Sequence, residues 1–313
     1  MKYFKRYTIL ISVVLLVFTS CIKEVEFTGE ETAPLPVLNC VVGDGDTVVY
    51  ADLTKSLFFL RRGDFAPITD ADVVLTCNGT EYPMTLVGDS VYMLRHTFAA
   101  GDLVSISATM PEFGTITSST TTVPPKLDFV RVYCNKEDGE DIVKSLTLKF
   151  ENKAPQNSYY QIKISRRLRP NEYDNMSWWW YWSWDIEKYE YISCNDTRIL
   201  FTNTDFPSIT EGRYILFPAK NFQGDTVSIT IELDNPQQMV DEYKFFCVDI
   251  FSISESLYKY ISTANNFYSS HDNPFTEPVQ VYTNISGGLG VLGTISYTPK
   301  SVIGVLDKKN SLL

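Results

Sequence analysis

Asn78-Gly79 stands between two runs of β-forming residues, Asp72 to Cys77 before it and Thr80 to Leu86 after it. A two-residue Asn-Gly connection is the strongest short hairpin signal, because a type I′ turn needs positive φ at both central positions. The neighbouring sequence repeats the pattern. Pro36 to Val42 closes on Gly43-Asp44-Gly45-Asp46, and Val48 to Leu53 follows. Gly88-Asp89 precedes Val91 to Arg95, and Gly101-Asp102 precedes the alternating Leu103 to Ala108. With Thr115 to Val123 this makes about seven short strands and no helix, a spacing that predicts a β-sandwich of immunoglobulin-like or transthyretin-like type.

Pro124-Pro125 then interrupts the chain with stiff, extended geometry. Further strands are expected at Phe129 to Cys134, Val143 to Phe150, Tyr159 to Ser165, Tyr214 to Phe217, Thr226 to Leu233 and Tyr243 to Ser252. Ser252 lies three residues before Glu255, a capping-box spacing. Leu257, Tyr260, Ile261 and Ala264 follow at helical intervals, so one helix of about ten residues is expected. Residues 301–306 can add a last strand. The expected fold class is therefore all-β with two β-sandwich domains, the first over 35–123 and a larger second one with one short helix over 125–307. Residues 308–313 form a tail.

The amino terminus is of another kind. Lys2, Lys5 and Arg6 precede an apolar run from Thr8 to Phe18. That run has the length of a signal-peptide core and is too short to span a bilayer. Thr19-Ser20-Cys21 follows. This resembles the lipobox of bacterial lipoproteins, with Phe18 where Leu or Val is usual. On that resemblance residues 1–20 are a cleaved signal, Cys21 is lipidated, and 21–34 is a tether to the membrane. Glu24 and Glu26, just behind the cysteine, resemble the surface-export signal of Bacteroidota lipoproteins.

Charge excludes some partners. The chain holds 27 basic and 38 acidic residues. Without Lys2, Lys5 and Arg6 the balance is 24 against 38, a net charge of −14. Nucleic acid needs a cationic footprint that such a chain does not offer, and no polybasic membrane patch is expected. Beyond Cys21 there are Cys40, Cys77, Cys134, Cys194 and Cys247, with no CxxC spacing that would suggest a thiolate metal site. Asp44 and Asp46, and the acidic run Glu137 to Asp141, read as solvated turns before they read as cation sites. No metal and no cofactor is expected. The two histidines, His96 and His271, stand in neither an HExxH helix nor near a Gly-x-Ser-x-Gly elbow. His271 falls in a Ser-Ser-His-Asp-Asn stretch expected to be a loop. The chain is not expected to be an enzyme.

All five tryptophans lie between residues 178 and 184. Trp178, Trp179, Trp180, Tyr181, Trp182 and Trp184 are the candidate ligand or partner contact. If extended, Trp178, Trp180, Trp182 and Trp184 share one face. Three readings stand side by side: a core strand, an exposed contact for a protein or the lipid interface, and a platform on which sugar rings stack.

The stretch from Asn273 to Gly293 reads Asn-Pro-Phe-Thr-Glu-Pro-Val, then Asn284-Ile285, then Gly287-Gly288-Leu289-Gly290 and a small apolar strand. The glycines suit a tight turn, and a strand-like run follows them where a phosphate-binding loop would need a helix. This pattern, with the Phe-x-Glu-Pro-Val run as a strand and the helix bearing Tyr258 and Tyr260, resembles a Bacteroidota outer-membrane lipoprotein family, domain of unknown function 4249. The resemblance implies a lipid-anchored outer-membrane protein, exposed on the cell surface, often encoded beside a TonB-dependent receptor. An accessory that captures a small-molecule or glycan ligand for that transporter, or gates it, is the implied role. A surface adhesin that binds glycans through the tryptophan run is the alternative. The resemblance brings no catalytic residues.

Overall fold

The computed structural model describes residues 32–58, 63–127, 130–136, 143–151, 158–167, 187–189, 192–193, 200–202, 214–222, 226–233, 245–271, 279–298 and 301–304. Its strands belong to one compact unit, Pro34–Leu313. In chain order the first ten are β1 (Pro36–Gly43), β2 (Val49–Lys55), β3 (Ala66–Pro67), β4 (Asp72–Cys77), β5 (Thr80–Pro83), β6 (Thr85–Leu86), β7 (Val91–Leu94), β8 (Leu103–Met110), β9 (Gly114–Ser118) and β10 (Thr121–Thr122). The next nine are β11 (Val130–Lys136), β12 (Val143–Glu151), β13 (Tyr159–Arg167), β14 (Glu187–Tyr189), β15 (Ile192–Ser193), β16 (Leu200–Thr202), β17 (Tyr214–Pro218), β18 (Thr226–Leu233) and β19 (Phe245–Ile253). Helix α1 (Glu255–His271) comes next, then β20 (Ile285–Ser286), β21 (Leu289–Tyr297) and β22 (Ser301–Gly304).

The Asn-Gly hairpin forms as its sequence requires. Asn78 and Gly79 have φ of 50° and 81°, and β4 pairs with β5 across them. The Asn78 amide donates to Asp102 Oδ1 at 2.8 Å, and its own Oδ1 accepts from the Leu103 N–H at 2.9 Å. Asp102 Oδ2 accepts from the Ala99 N–H at 2.8 Å. One carboxylate thus ties two turns together, and these hydrogen bonds hold it below the usual carboxylate range, that from the Ala99 N–H contributing most.

The strands build three sheets. The largest runs β16-β17-β13-β19-β21-β1-β2-β7-β6, with β14 on β13, β22 on β19 and β3 on β2. A second runs β20-β9-β8-β4-β5, with β10 on β8, and a third runs β11-β12-β18-β15. The large sheet draws strands from both sides of Pro124-Pro125. β1 pairs parallel with β21, Val37 opposite Leu289 through Gly43 opposite Ile295, while β19 pairs antiparallel with β21. Period-2 alternation explains the layers. Leu38, Cys40 and Val42 of β1 are buried with Leu75, Ile106 and Ile116 of the second sheet. Tyr160 and Ile162 of β13 are buried with Leu146, Leu148, Ile229 and Ile231 of the third. On its opposite face the large sheet carries α1, where Leu257 and Ile261 meet Tyr159, Leu216, Ile253 and Ile295.

The protein is all-β, with this one α-helix among the described residues, and three local expectations need correction. The helix runs for 17 residues, longer than the periodic stretch suggested, because its last turns carry polar residues that the apolar pattern does not count. It therefore includes Ser269, Ser270 and His271, which are helical and not a loop. The capping residue is Ser254, whose Oγ accepts from the Leu257 N–H at 3.3 Å; Ser252 belongs to β19. Finally, of the Phe-x-Glu-Pro-Val run, Phe275 to Pro278 lie outside the described residues, and Val279 has no strand assignment. Cys40 and Cys77 are buried free thiols, and burial pushes the Cys40 thiol up to about 12. Among the described residues no helix is long and apolar enough to cross a membrane.

Candidate functional site

The glycine-rich signature is a joint in the fold. Asn284 is 9% exposed. Its Nδ2 donates to the Leu292 carbonyl at 3.0 Å and its Oδ1 accepts from the Leu292 N–H at 2.9 Å. Gly290 has a φ of 106° and passes so close to β1 that a Cβ would lie 2.1 Å from the Leu38 carbonyl oxygen. Only glycine meets both conditions. From the next turns of β21, Thr294 Oγ1 donates to the Thr122 carbonyl at 2.7 Å and Ser296 Oγ donates to the Pro124 carbonyl at 2.5 Å. Ser254 Oγ accepts from the Thr294 N–H at 3.0 Å, and Ser256 Oγ donates to the Leu292 carbonyl at 2.9 Å. β21 is thereby tied to β1, to the chain around Pro124 and to the start of α1. The chemistry of this region is hydrogen-bond satisfaction, not ligation.

A chemically different cluster sits on the face of the large sheet that carries α1. Tyr159, Gln161 and Lys163 alternate with the inward Tyr160 and Ile162 along β13. Gln161 lies between Leu216 of β17 and Phe251 of β19, and Lys163 between Tyr214 and Asp249. Gln161 is 2% exposed, and its Nε2 has no hydrogen-bond partner among the described residues. The Lys163 ammonium lies 5.6 Å from the Phe251 ring centroid. Burial lowers the Lys163 pKa, and the nearby Asp249 carboxylate works against that shift. Phe251 meets the exposed Tyr297 edge to face, with centroids 5.3 Å apart. At the helix start, Tyr159 stacks near Tyr258 at 4.7 Å. Its hydroxyl is pushed up to about 12, first by burial and then by the Glu255 carboxylate to which it donates. Glu255 also pairs with Lys259 at 2.9 Å.

An amine, a carboxylate, an amide and two ring edges on one sheet face are groups that recognise a polar ligand with a flat or ring-shaped body. Sequence reasoning passed over them. The signal was present in β19, where Asp249 is the one charge within Phe245–Ile253, and in β13, where Gln161 and Lys163 alternate with apolar residues. A charge inside a strand with both faces covered has to be accounted for.

The candidate contact Trp178, Trp179, Trp180, Tyr181, Trp182 and Trp184 lies outside the described residues, as do Cys21, Cys194 and the acidic run Glu137 to Asp141. Asp44 and Asp46 flank the β1–β2 turn at Gly45, whose φ is 83°. Asp44 pairs with Lys126 at 3.0 Å. Burial raises the Asp46 carboxyl despite a backbone hydrogen bond from Gly43. Among the described residues no group of three or more His, Cys, Asp or Glu side chains is placed to hold a metal ion.

Compared with known proteins, the chain matches one family model, described as domain of unknown function 4249, over residues 22–301. No curated protein matches it.

Proposed function

We propose, from the premise that this chain belongs to the family of domain of unknown function 4249, that it is a lipoprotein anchored through Cys21 in the outer membrane and exposed on the cell surface. There it acts as an accessory of a TonB-dependent transporter, capturing a small-molecule or glycan ligand for the barrel. The observation that carries the reading is a coincidence of boundaries. The family match begins at residue 22, the residue after the lipobox cysteine, so what the family shares starts where a lipidated mature chain would start. The β scaffold supports the same reading. Its polar joint at Asn284, Ser254 and Thr294 stiffens the fold, and the Lys163–Asp249–Gln161 face supplies groups suited to a polar ligand.

The test is co-purification of the tagged full-length protein from its native outer membrane in mild detergent. A barrel of the TonB-dependent class in stoichiometric amount is the expected result. Recovery of the lipoprotein alone, under conditions where known receptor complexes survive, would remove the accessory role. Independent surface binding through the tryptophan run would then be the reading to pursue, by asking whether Trp178→Ala with Trp180→Ala abolishes glycan retention in a folded protein.

A further inference from the structure

One end of the large sheet gathers exposed apolar side chains where the amino-terminal segment enters the fold. Ser56 lies opposite Leu35, donating its N–H to the Leu35 carbonyl at 2.8 Å and accepting from the Leu35 N–H on Oγ at 2.9 Å. In β3, Ala66 is opposite Lys55, so Phe65 falls beside Ser56 on its other flank. In β21, Leu289 is opposite Val37. Leu35 and Leu289 stand at the ends of adjacent strands, with Phe65 one strand further on across Ser56; Leu35, Phe65 and Leu289 are 46%, 61% and 36% exposed. Lys55 beside them is occupied by an ion pair with Glu112. The opposite end of the same strands carries charge: the β1–β2 turn holds Asp44 and Asp46, and Gly45 N–H donates there to the Phe98 carbonyl at 2.9 Å, next to the Ala99–Asp102 turn, so that the exposed Leu103 and Tyr297 of that end stand beside carboxylates.

We propose that the Leu35–Phe65–Leu289 end rests on the lipid surface as a second, non-covalent membrane contact that sets the orientation of the protein. The inference rests on the Cys21 anchor of the proposed function. The tether is what selects lipid as the occupant. Twelve residues separate Cys21 from Pro34. Fully extended, a chain of that length reaches at most roughly 45 Å. Leu35 is therefore held close to the bilayer that carries the acyl chains, whereas the Asp44 end stands a whole strand length further off. Tethering gives an effective concentration on the order of millimolar. Three apolar side chains, too few for stable association from solution, then suffice to keep one end down. Exposed apolar groups that adjoin one another at a tethered end have a purpose that scattered ones do not need.

The experiment uses the lipidated full-length protein in liposomes of phosphatidylethanolamine and phosphatidylglycerol. Phe65→Cys and, at the charged end, Ala100→Cys are each labelled with an environment-sensitive dye, and labelling of the parent chain is subtracted. Doxyl-labelled lipids should quench the dye at position 65 several-fold more than the dye at position 100. Equal quenching overturns the proposal. A blue-shifted dye at position 65 that lipid quenchers cannot reach also overturns it, because a protein then covers that end. Mass spectrometry of the same sample reads the anchor separately. An acylated Cys21 with equal quenching sinks the orientation alone, whereas an unmodified Cys21 sinks the anchor and this inference together.

Discussion

At the scale of single residues, the fold depends on a few polar side chains that complete backbone hydrogen bonding where strands cannot. Asn284 does the work of a missing strand partner for Leu292, supplying both a donor and an acceptor. Asn284→Ala leaves the Leu292 N–H buried without that acceptor and its C=O with the Ser256 hydroxyl alone, which should cost about 1–3 kcal/mol by the penalty for an unmet buried group. Asn284→Asp keeps the acceptor but loses the donor, and it should fare no better. Urea midpoints at neutral pH would measure both, and an alanine variant as stable as the parent would mean that the bridge contributes nothing. Asp102 is the second such residue. Its folded pKa is depressed by the Ala99 and Asn78 hydrogen bonds. Its stabilising contribution is therefore fully present above the unfolded carboxylate value of about 3.9, and it disappears as pH falls through the lower folded value. The stability gap between the parent and Asp102→Asn should narrow on going from pH 5 into that acid range. A gap that stays constant would show that the charge on Asp102 is irrelevant to the two turns.

At the scale of elements, the turn chemistry was the most legible part of the sequence. Asn78-Gly79 specifies its hairpin locally, since two positive φ values in a row leave few residue choices. Most strand runs fall within a residue or two of the observed ones for the same reason: alternation and turn residues are short-range signals. The cap of α1 was less legible. Ser252 and Ser254 both precede the helix, and choosing between them depends on β21, because Ser254 Oγ also accepts from the Thr294 N–H, forty positions away. The Lys163–Asp249 face was missed in the same way, since the two residues become neighbours only through the β13–β19 register. Ser254→Ala removes the cap and the bond to β21 together. It should destabilise by more than the roughly 1 kcal/mol of an ordinary N-cap loss, whereas Ser252→Ala should leave the helix unchanged. Far-ultraviolet circular dichroism through a thermal scan would rank them, and equal effects would sink the assignment of the cap to Ser254.

At the scale of the whole molecule, the parallel pairing of β1 with β21 decides how the chain unfolds. Nothing local announces that pairing, because the two strands come from opposite ends of the described fold and parallel partners leave no turn between them. Its trace in the sequence is Gly290, whose lack of a side chain lets β21 approach the Leu38 carbonyl. The consequence reaches both sides of Pro124-Pro125. Without β21, β1 loses its parallel neighbour, β19 loses a pairing partner, and Thr122 and Pro124 lose the hydroxyls of Thr294 and Ser296. The second sheet is tied in as well, since β20, just before β21, pairs with β9. Gly290→Ala places a methyl against backbone, which cannot retreat as a side chain can, and it does so at a φ that L-residues resist. It should cost more than about 3 kcal/mol. Because the large sheet joins strands from both halves through this strand, the loss should appear as one displaced transition, with tyrosine fluorescence and far-ultraviolet circular dichroism moving together in urea. If the variant instead loses structure in two steps, with residues 35–123 surviving the first, then that half carries its own stability. The parallel pair would in that case be a contact between two independent folds and not the seam that makes them one.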